Sequence, residues 1–240
     1  MSGTFFLNIG NTHAQVATLA NGKLKLLATH ETCSLDATIP QFEEYPDAHG
    51  IAVCVVPPLR ERLQAQYPSR LRFLSWQDFK MLDFSLVDTS TLGLDRIANA
   101  AAAFSLAGGP AIVVDCGTCL NTVVVDGDGR FLGGAILPGR RMMRRALHEY
   151  TAQLPMLELR GNLPLPIGCN TLDAMAAGTD LAGVGALREL ISRTQQQVQG
   201  KYKVFATGGD ASYFLRALPE MLDAAPPLLT LLGVKLAWEK

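Results

Sequence analysis

Several things are missing from this chain. No apolar run approaches the roughly 20 residues that a bilayer-spanning helix needs. The stretch GTFFLNIGN near the start is too short and too lightly flanked for a signal peptide. Charge of one sign is missing as well: 21 Lys and Arg against 22 Asp and Glu leave a net −1, so no basic field points to nucleic acid. Five cysteines, an odd number in 240 residues, do not form a disulfide framework. His13, His30, His49 and His148 show no ligand spacing, and no segment is low-complexity. The expectation is a cytoplasmic globular protein with no membrane partner and a core large enough for one big domain or two lobes.

What is present is a repeated pattern. Residues 4–9, 14–20 and 23–29 read as strands joined by Gly10-Asn11-Thr12 and by the hairpin signal Asn21-Gly22. Residues 51–57 and 110–118 read as buried strands. Residues 96–107 read as a helix capped by Asp95 and ended by Gly108-Gly109. Further helices are expected over 140–154, over 171–198 with an interruption, over 211–218 and in the last segment. An offset of 107 lays Asn8 on Asp115, Gly10 on Gly117, Asn11 on Thr118, and Asn21-Gly22 on Asp128-Gly129. Two glycine turns and a hairpin turn in one register indicate an internal duplication, with lobes at 1–106 and 107–240 facing each other across a cleft.

Taken singly, each glycine turn needs no more explanation than the positive φ that glycine allows. Taken together with a third turn, Thr207-Gly208-Gly209-Asp210, they suggest phosphate cradles. Successive backbone N–H groups and a hydroxyl converge where no side chain blocks the approach. A carboxylate at the end of such a strand suits a hydrated divalent cation.

The segments CVVPPL (54–59), LGLDR (92–96), VVDCGT (113–118), GGAILPG (133–139), IGCNTLDAMAAG (167–178) and ATGGDA (206–211) resemble, in this order, the type III pantothenate kinases of the actin-like ATPase superfamily. The resemblance covers nearly the whole chain. It implies an α/β fold of two duplicated actin-like (ribonuclease H-like) lobes and an ATP-dependent phosphorylation of pantothenate, the first step of coenzyme A biosynthesis. It implies Asp95 as general base on the substrate hydroxyl, and Gly93, Leu94, Asp95, Arg96 and Thr171 around pantothenate. ATP would be bound by Asn8, Gly10, Asn11, Thr12, Thr118, Gly208 and Gly209. A potassium or ammonium ion would sit at Asp115, Mg²⁺ on the phosphates, and the protein would be a homodimer.

Three positions depart from that pattern. The first loop of the family has Asp where this chain has Asn8, and the second loop has Cys119 and Asn121 in place of Ala and Thr. An amide oxygen can accept from a metal-bound water but brings no charge to a hard dication. Asp210 is the carboxylate that could stand in for it. A relative that binds nucleotide or pantothenate for regulation is therefore the alternative function. The cluster Arg140, Arg141, Arg144 and Arg145 reads as a solvated helix face or a subunit contact. Cys116-x-x-Cys119 lacks the following helix that a redox pair wants.

Overall fold

In the computed structural model, residues 3–36 and 38–239 are described; residues 1, 2 and 240, at the limits of the expected lobes, lie outside them. The chain separates into two compact units. One comprises Met1–Gly108, Gly129–Phe131 and Pro227–Lys240, the other Gly109–Asp128 and Leu132–Pro226.

The first unit contains β1 (Thr4–Ile9), β2 (His13–Ala20), β3 (Lys23–Glu31), α1 (Pro40–Glu44), β4 (His49–Cys54), α2 (Pro57–Gln66), β5 (Leu71–Phe73) and α3 (Leu94–Ala107). Its sheet has the order β3-β2-β1-β4-β5, with β1 antiparallel to β2 and parallel to β4. The β2–β3 hairpin turns on Asn21 (φ 52°) and Gly22 (φ 75°), the left-handed pair that a two-residue hairpin requires. Phe5, Leu7 and Ile9 of β1 are buried with Phe42, Leu59 and Leu63 of α1 and α2. The two-residue period of a strand turns Phe6 and Asn8 to the opposite face.

The second unit contains β6 (Ala111–Cys116), β7 (Cys119–Val125), all of β8 (Phe131–Pro138) but its first residue, α4 (Arg140–Glu149), α5 (Thr171–Val198), β9 (Lys203–Thr207), α6 (Ala211–Ala217) and β10 (Asp223–Ala224). The sheet order is β8-β7-β6-β9-β10, with β6 antiparallel to β7 and parallel to β9. Position for position this is the order of the first sheet, which the duplication read from the turns requires. Val114 and Cys116 of β6 are buried with Val184, Leu187 and Ile191 of α5 and with Phe214 of α6.

Several local expectations change. The α3 cap is Gly93, not Asp95: the Ile97 N–H already donates to the Gly93 carbonyl (3.2 Å), which puts Asp95 inside the first turn. Helix α4 stops at Glu149 because the Thr151 hydroxyl donates to the Leu147 carbonyl (2.7 Å) and then accepts from the Leu154 N–H. Helix α5 runs 28 residues without interruption. Its start is fixed reciprocally, with the Asn170 amide oxygen accepting from the Asp173 N–H (3.0 Å) and the amide nitrogen donating to the Asp173 carboxylate (2.7 Å).

The closing helix, α7 (Leu229–Glu239), packs in the first unit. Trp238 meets Phe6 edge-on at 5.5 Å, and Thr230 donates to the buried Asn99 amide oxygen at 2.8 Å. The alanine run Ala100–Ala103 keeps α3 thin, and a Cβ on Gly233 would overlap the Ala98 carbonyl. Gly233→Ala is therefore expected to destabilise the fold by about 1–3 kcal/mol, because a backbone carbonyl cannot yield as a flexible side chain can. Urea unfolding checks this. A variant as stable as the parent would show that α7 relaxes away at little cost.

Candidate functional site

In the first unit the turn Gly10-Asn11-Thr12 joins β1 to β2. The Gly10 N–H donates to the His13 carbonyl (3.0 Å), and Thr32 braces the turn by donating its hydroxyl to the Gly10 carbonyl (2.8 Å) and its N–H to the Thr12 carbonyl (2.9 Å). Asn11 and Thr12 are thus held exposed at a fixed place. Asn8, one residue before the end of β1, pairs in register with Gln15 and Val53. Its Oδ1 is buried with no hydrogen-bond partner among the described residues. An orphaned acceptor at a strand end asks for a donor from outside the chain, such as a metal-bound water.

The first turn of α3 carries the Gly-Leu-Asp-Arg segment. The Asp95 Oδ1 accepts from the Arg96 N–H at 2.8 Å, and a Cβ on Gly93 would lie 2.6 Å from that oxygen. Gly93 has an ordinary extended backbone, so a Cβ there would meet no φ strain and would only oblige the Asp95 carboxylate to shift. Burial pushes the Asp95 carboxyl above the usual carboxylate range, against the opposing pull of the Arg96 N–H and its charge. A half-buried carboxylate with a raised pKa beside an arginine can take a proton and bind an anion at neighbouring points.

In the second unit three glycine segments meet at the end of β6. The Gly139 N–H donates to the Thr118 carbonyl (3.1 Å), and a Cβ at Gly139 would overlap that carbonyl. Gly208, at φ +94°, lies so near that a Cβ would come within 2.6 Å of both the Asp115 Oδ1 and the Cys116 carbonyl oxygen. The Asp210 N–H donates to the Cys116 carbonyl at 2.9 Å. Asp115, Thr118, Gly208 and Gly209 are therefore brought together on one rim. Asn121, which faces Asp115 in the antiparallel register, also has a buried Oδ1 without a partner among the described residues. Thr171 opens α5 between Cys169 and Asp173, both of which line a cavity of ≈ 220 Å³.

Two expectations fail here. The arginines of α4 are not a solvated face. Arg141 and Arg145 are exposed, but Arg140 and Arg144 are 2% and 0% exposed. They lie four residues apart, on the same side of the helix, and both donate to the buried Asp180 of α5, at 2.8 Å from Arg140 and 2.7 Å from Arg144. Asp210 is no free substitute for the missing aspartate either, since the Arg140 guanidinium donates to both its carboxylate oxygens at 2.8 and 3.1 Å. Cys116 is buried, and burial followed by the Asp115 and Asp210 charges pushes its thiol up, away from the thiolate that redox chemistry uses.

The profile of the type III pantothenate kinase family matches residues 4–193. A type III pantothenate kinase from Endomicrobium trichonymphae is 31% identical, with 98% of each chain covered. Among solved structures, a conserved putative Baf family transcriptional activator from Campylobacter jejuni superposes with a TM-score of 0.65 at 22% identity, covering 98% of this chain and 97% of the other. An archaeal actin homologue in complex with ADP superposes at 0.51 with 11% identity, covering 100% and 99%. At these identities the two structures speak for the actin-like fold alone.

Proposed function

Because the chain belongs to the type III pantothenate kinase family, a family of kinases, we propose that it transfers the γ-phosphoryl group of ATP to the hydroxyl of pantothenate. The products are 4′-phosphopantothenate and ADP. The observation that carries this reading is the first turn of α3, where burial raises the Asp95 pKa and Arg96 stands next to it. The substrate oxygen attacks the γ-phosphorus, its proton passes to Asp95, and the bond to the β–γ bridging oxygen breaks. Arg96 is suited to the substrate carboxylate, and Gly93, Leu94 and Thr171 to the rest of the pantothenate.

Asn8, Gly10, Asn11 and Thr12 on one turn, and Thr118, Gly208 and Gly209 on the rim of the second unit, are the proposed ATP contacts. The residues fit the implied cations in part. Asp115 supplies charge for a potassium or ammonium ion, and the orphaned Asn121 oxygen stands opposite it in register. For Mg²⁺ the chain offers the Asn8 oxygen, an acceptor for a bound water, with no charge of its own. When bound, Mg²⁺ neutralises charge that develops on the phosphates. Asn8 also favours a second reading, a relative kept for binding nucleotide or pantothenate with little turnover.

No helix among the described residues is long and apolar enough to cross a membrane. A cytoplasmic homodimer is part of the proposal, and the exposed Ile136, Leu165 and Ile167 of the second unit are suited to a subunit contact. A coupled ADP-release assay with Mg²⁺ and potassium tests the kinase reading. Release that depends on pantothenate is expected. ADP binding without such release would favour the binding relative, and neither would remove both readings.

A further inference from the structure

The proposed reaction leaves the most deeply buried charged cluster of the second unit without a task. One Arg140 nitrogen donates to both oxygens of Asp210; the other donates to the Asp180 carboxylate and to the Arg160 carbonyl, each at 2.8 Å. The guanidinium carbon lies 3.4 Å from the centre of the Tyr213 ring. Arg144 shares Asp180 but turns to the Glu158 carbonyl and the Thr179 hydroxyl instead of Asp210. Two arginines and two aspartates make the cluster neutral, which is what allows it to be buried.

We propose that Arg140 is a positioning residue for the nucleotide: by gripping Asp210 it fixes the turn Thr207-Gly208-Gly209-Asp210 in the shape that receives ATP. This rests on the assignment of that turn to ATP. Asp210 is the only charged side chain of the turn, and it is the residue at which the turn becomes α6. Its N–H ties the turn to the Cys116 carbonyl, and its carboxylate ties it to Arg140. Arg140 in turn directly follows Gly139, whose backbone packs on the Gly117-Thr118 turn. One guanidinium thus holds the 207–210 turn in fixed relation to the residues around Thr118. A planar fork with several donors can do this, and a point-charge ammonium cannot.

Arg144 provides the internal control, since it is as buried and shares Asp180 but does not touch the turn. ADP binding by calorimetry, together with KM for ATP and for pantothenate, would be compared in the parent, Arg140→Gln, Arg144→Gln and Gly208→Ala. Arg140→Gln is expected to weaken ADP binding and raise KM for ATP about tenfold or more, with kcat and KM for pantothenate within about threefold. Arg144→Gln is expected to lower the melting temperature and leave ADP affinity within about threefold. Equal losses in both variants would reduce Arg140 to a packing role and overturn the proposal. So would an unchanged Arg140→Gln beside a Gly208→Ala that has lost ADP. A Gly208→Ala that binds ADP like the parent would instead overturn the nucleotide assignment, and the proposal with it. Should Arg140→Gln fail to fold, Asp210→Asn keeps the size of the side chain and removes the charge that Arg140 grips. It is expected to weaken ADP binding about fivefold or more, and parental affinity there would overturn the proposal.

Discussion

Asp95→Asn is expected to lower kcat by about 10²- to 10⁴-fold, the usual contribution of a positioned general base, while ADP affinity stays near that of the parent. The substitution is nearly isosteric. The Asn oxygen can still accept the Arg96 N–H that Asp95 accepts at 2.8 Å, so the first turn of α3 keeps its geometry. What is lost is the capacity to take a proton. The pH dependence gives a second readout. Burial raises the Asp95 pKa, so in the parent kcat/KM should fall as pH drops through a value above the ordinary carboxylate range, and this limb should vanish in the variant. Stability moves in the other direction. A carboxyl whose folded pKa is raised costs stability once pH exceeds its unfolded pKa, so Asp95→Asn should melt at or above the parent temperature near neutrality. A kcat within about threefold of the parent would remove Asp95 from the reaction.

The two units were legible because turn chemistry leaves little choice. Asn21-Gly22 fits a two-residue hairpin loop and Gly208 sits at φ +94°, so such residues mark the chain wherever they occur. The shared sheet order followed from turns that match at one offset. The failures share a different cause. Arg140 and Arg144 looked like surface residues because their counter-charge, Asp180, lies 36 to 40 positions away on another helix, and no local pattern announces it. The same holds for Asp210, whose guanidinium partner is 70 positions distant. Asp is favoured as a cap, yet the cap of α3 is Gly93, and the Asp95 carboxylate instead accepts from the Arg96 N–H inside the first turn. The place of α7 depends on a missing Cβ at Gly233, a steric fact that composition does not carry. The helix itself carries no signal that separates the two pairs: Arg141 and Arg145 are also four apart, and they are exposed.

The second large effect is expected from Asn8→Asp, which should raise kcat/KM for Mg–ATP by about 5- to 150-fold. The figure follows from the roughly 1–3 kcal/mol that a charged partner adds at a buried polar site. The Asn8 Oδ1 is buried and without a partner among the described residues, so an added charge there would act from a largely desolvated oxygen. The other candidate carboxylate, Asp210, is held by Arg140, and the cluster around it is neutral. The gain carries a cost in the metal-free protein. An aspartate in that place would have its pKa raised by burial, so Asn8→Asp should melt below the parent near neutrality without nucleotide, and recover as pH falls through the raised pKa. Mg–ATP should restore the difference by binding the folded state. Kinetics and thermal melts with and without Mg–ATP measure both halves. A variant that loses stability and gains neither turnover nor Mg–ATP protection would show that residue 8 does not face the metal–phosphate group in this chain. A parent with little turnover, next to an Asn8→Asp that works as a kinase, would make the single amide at position 8 the reason for the difference.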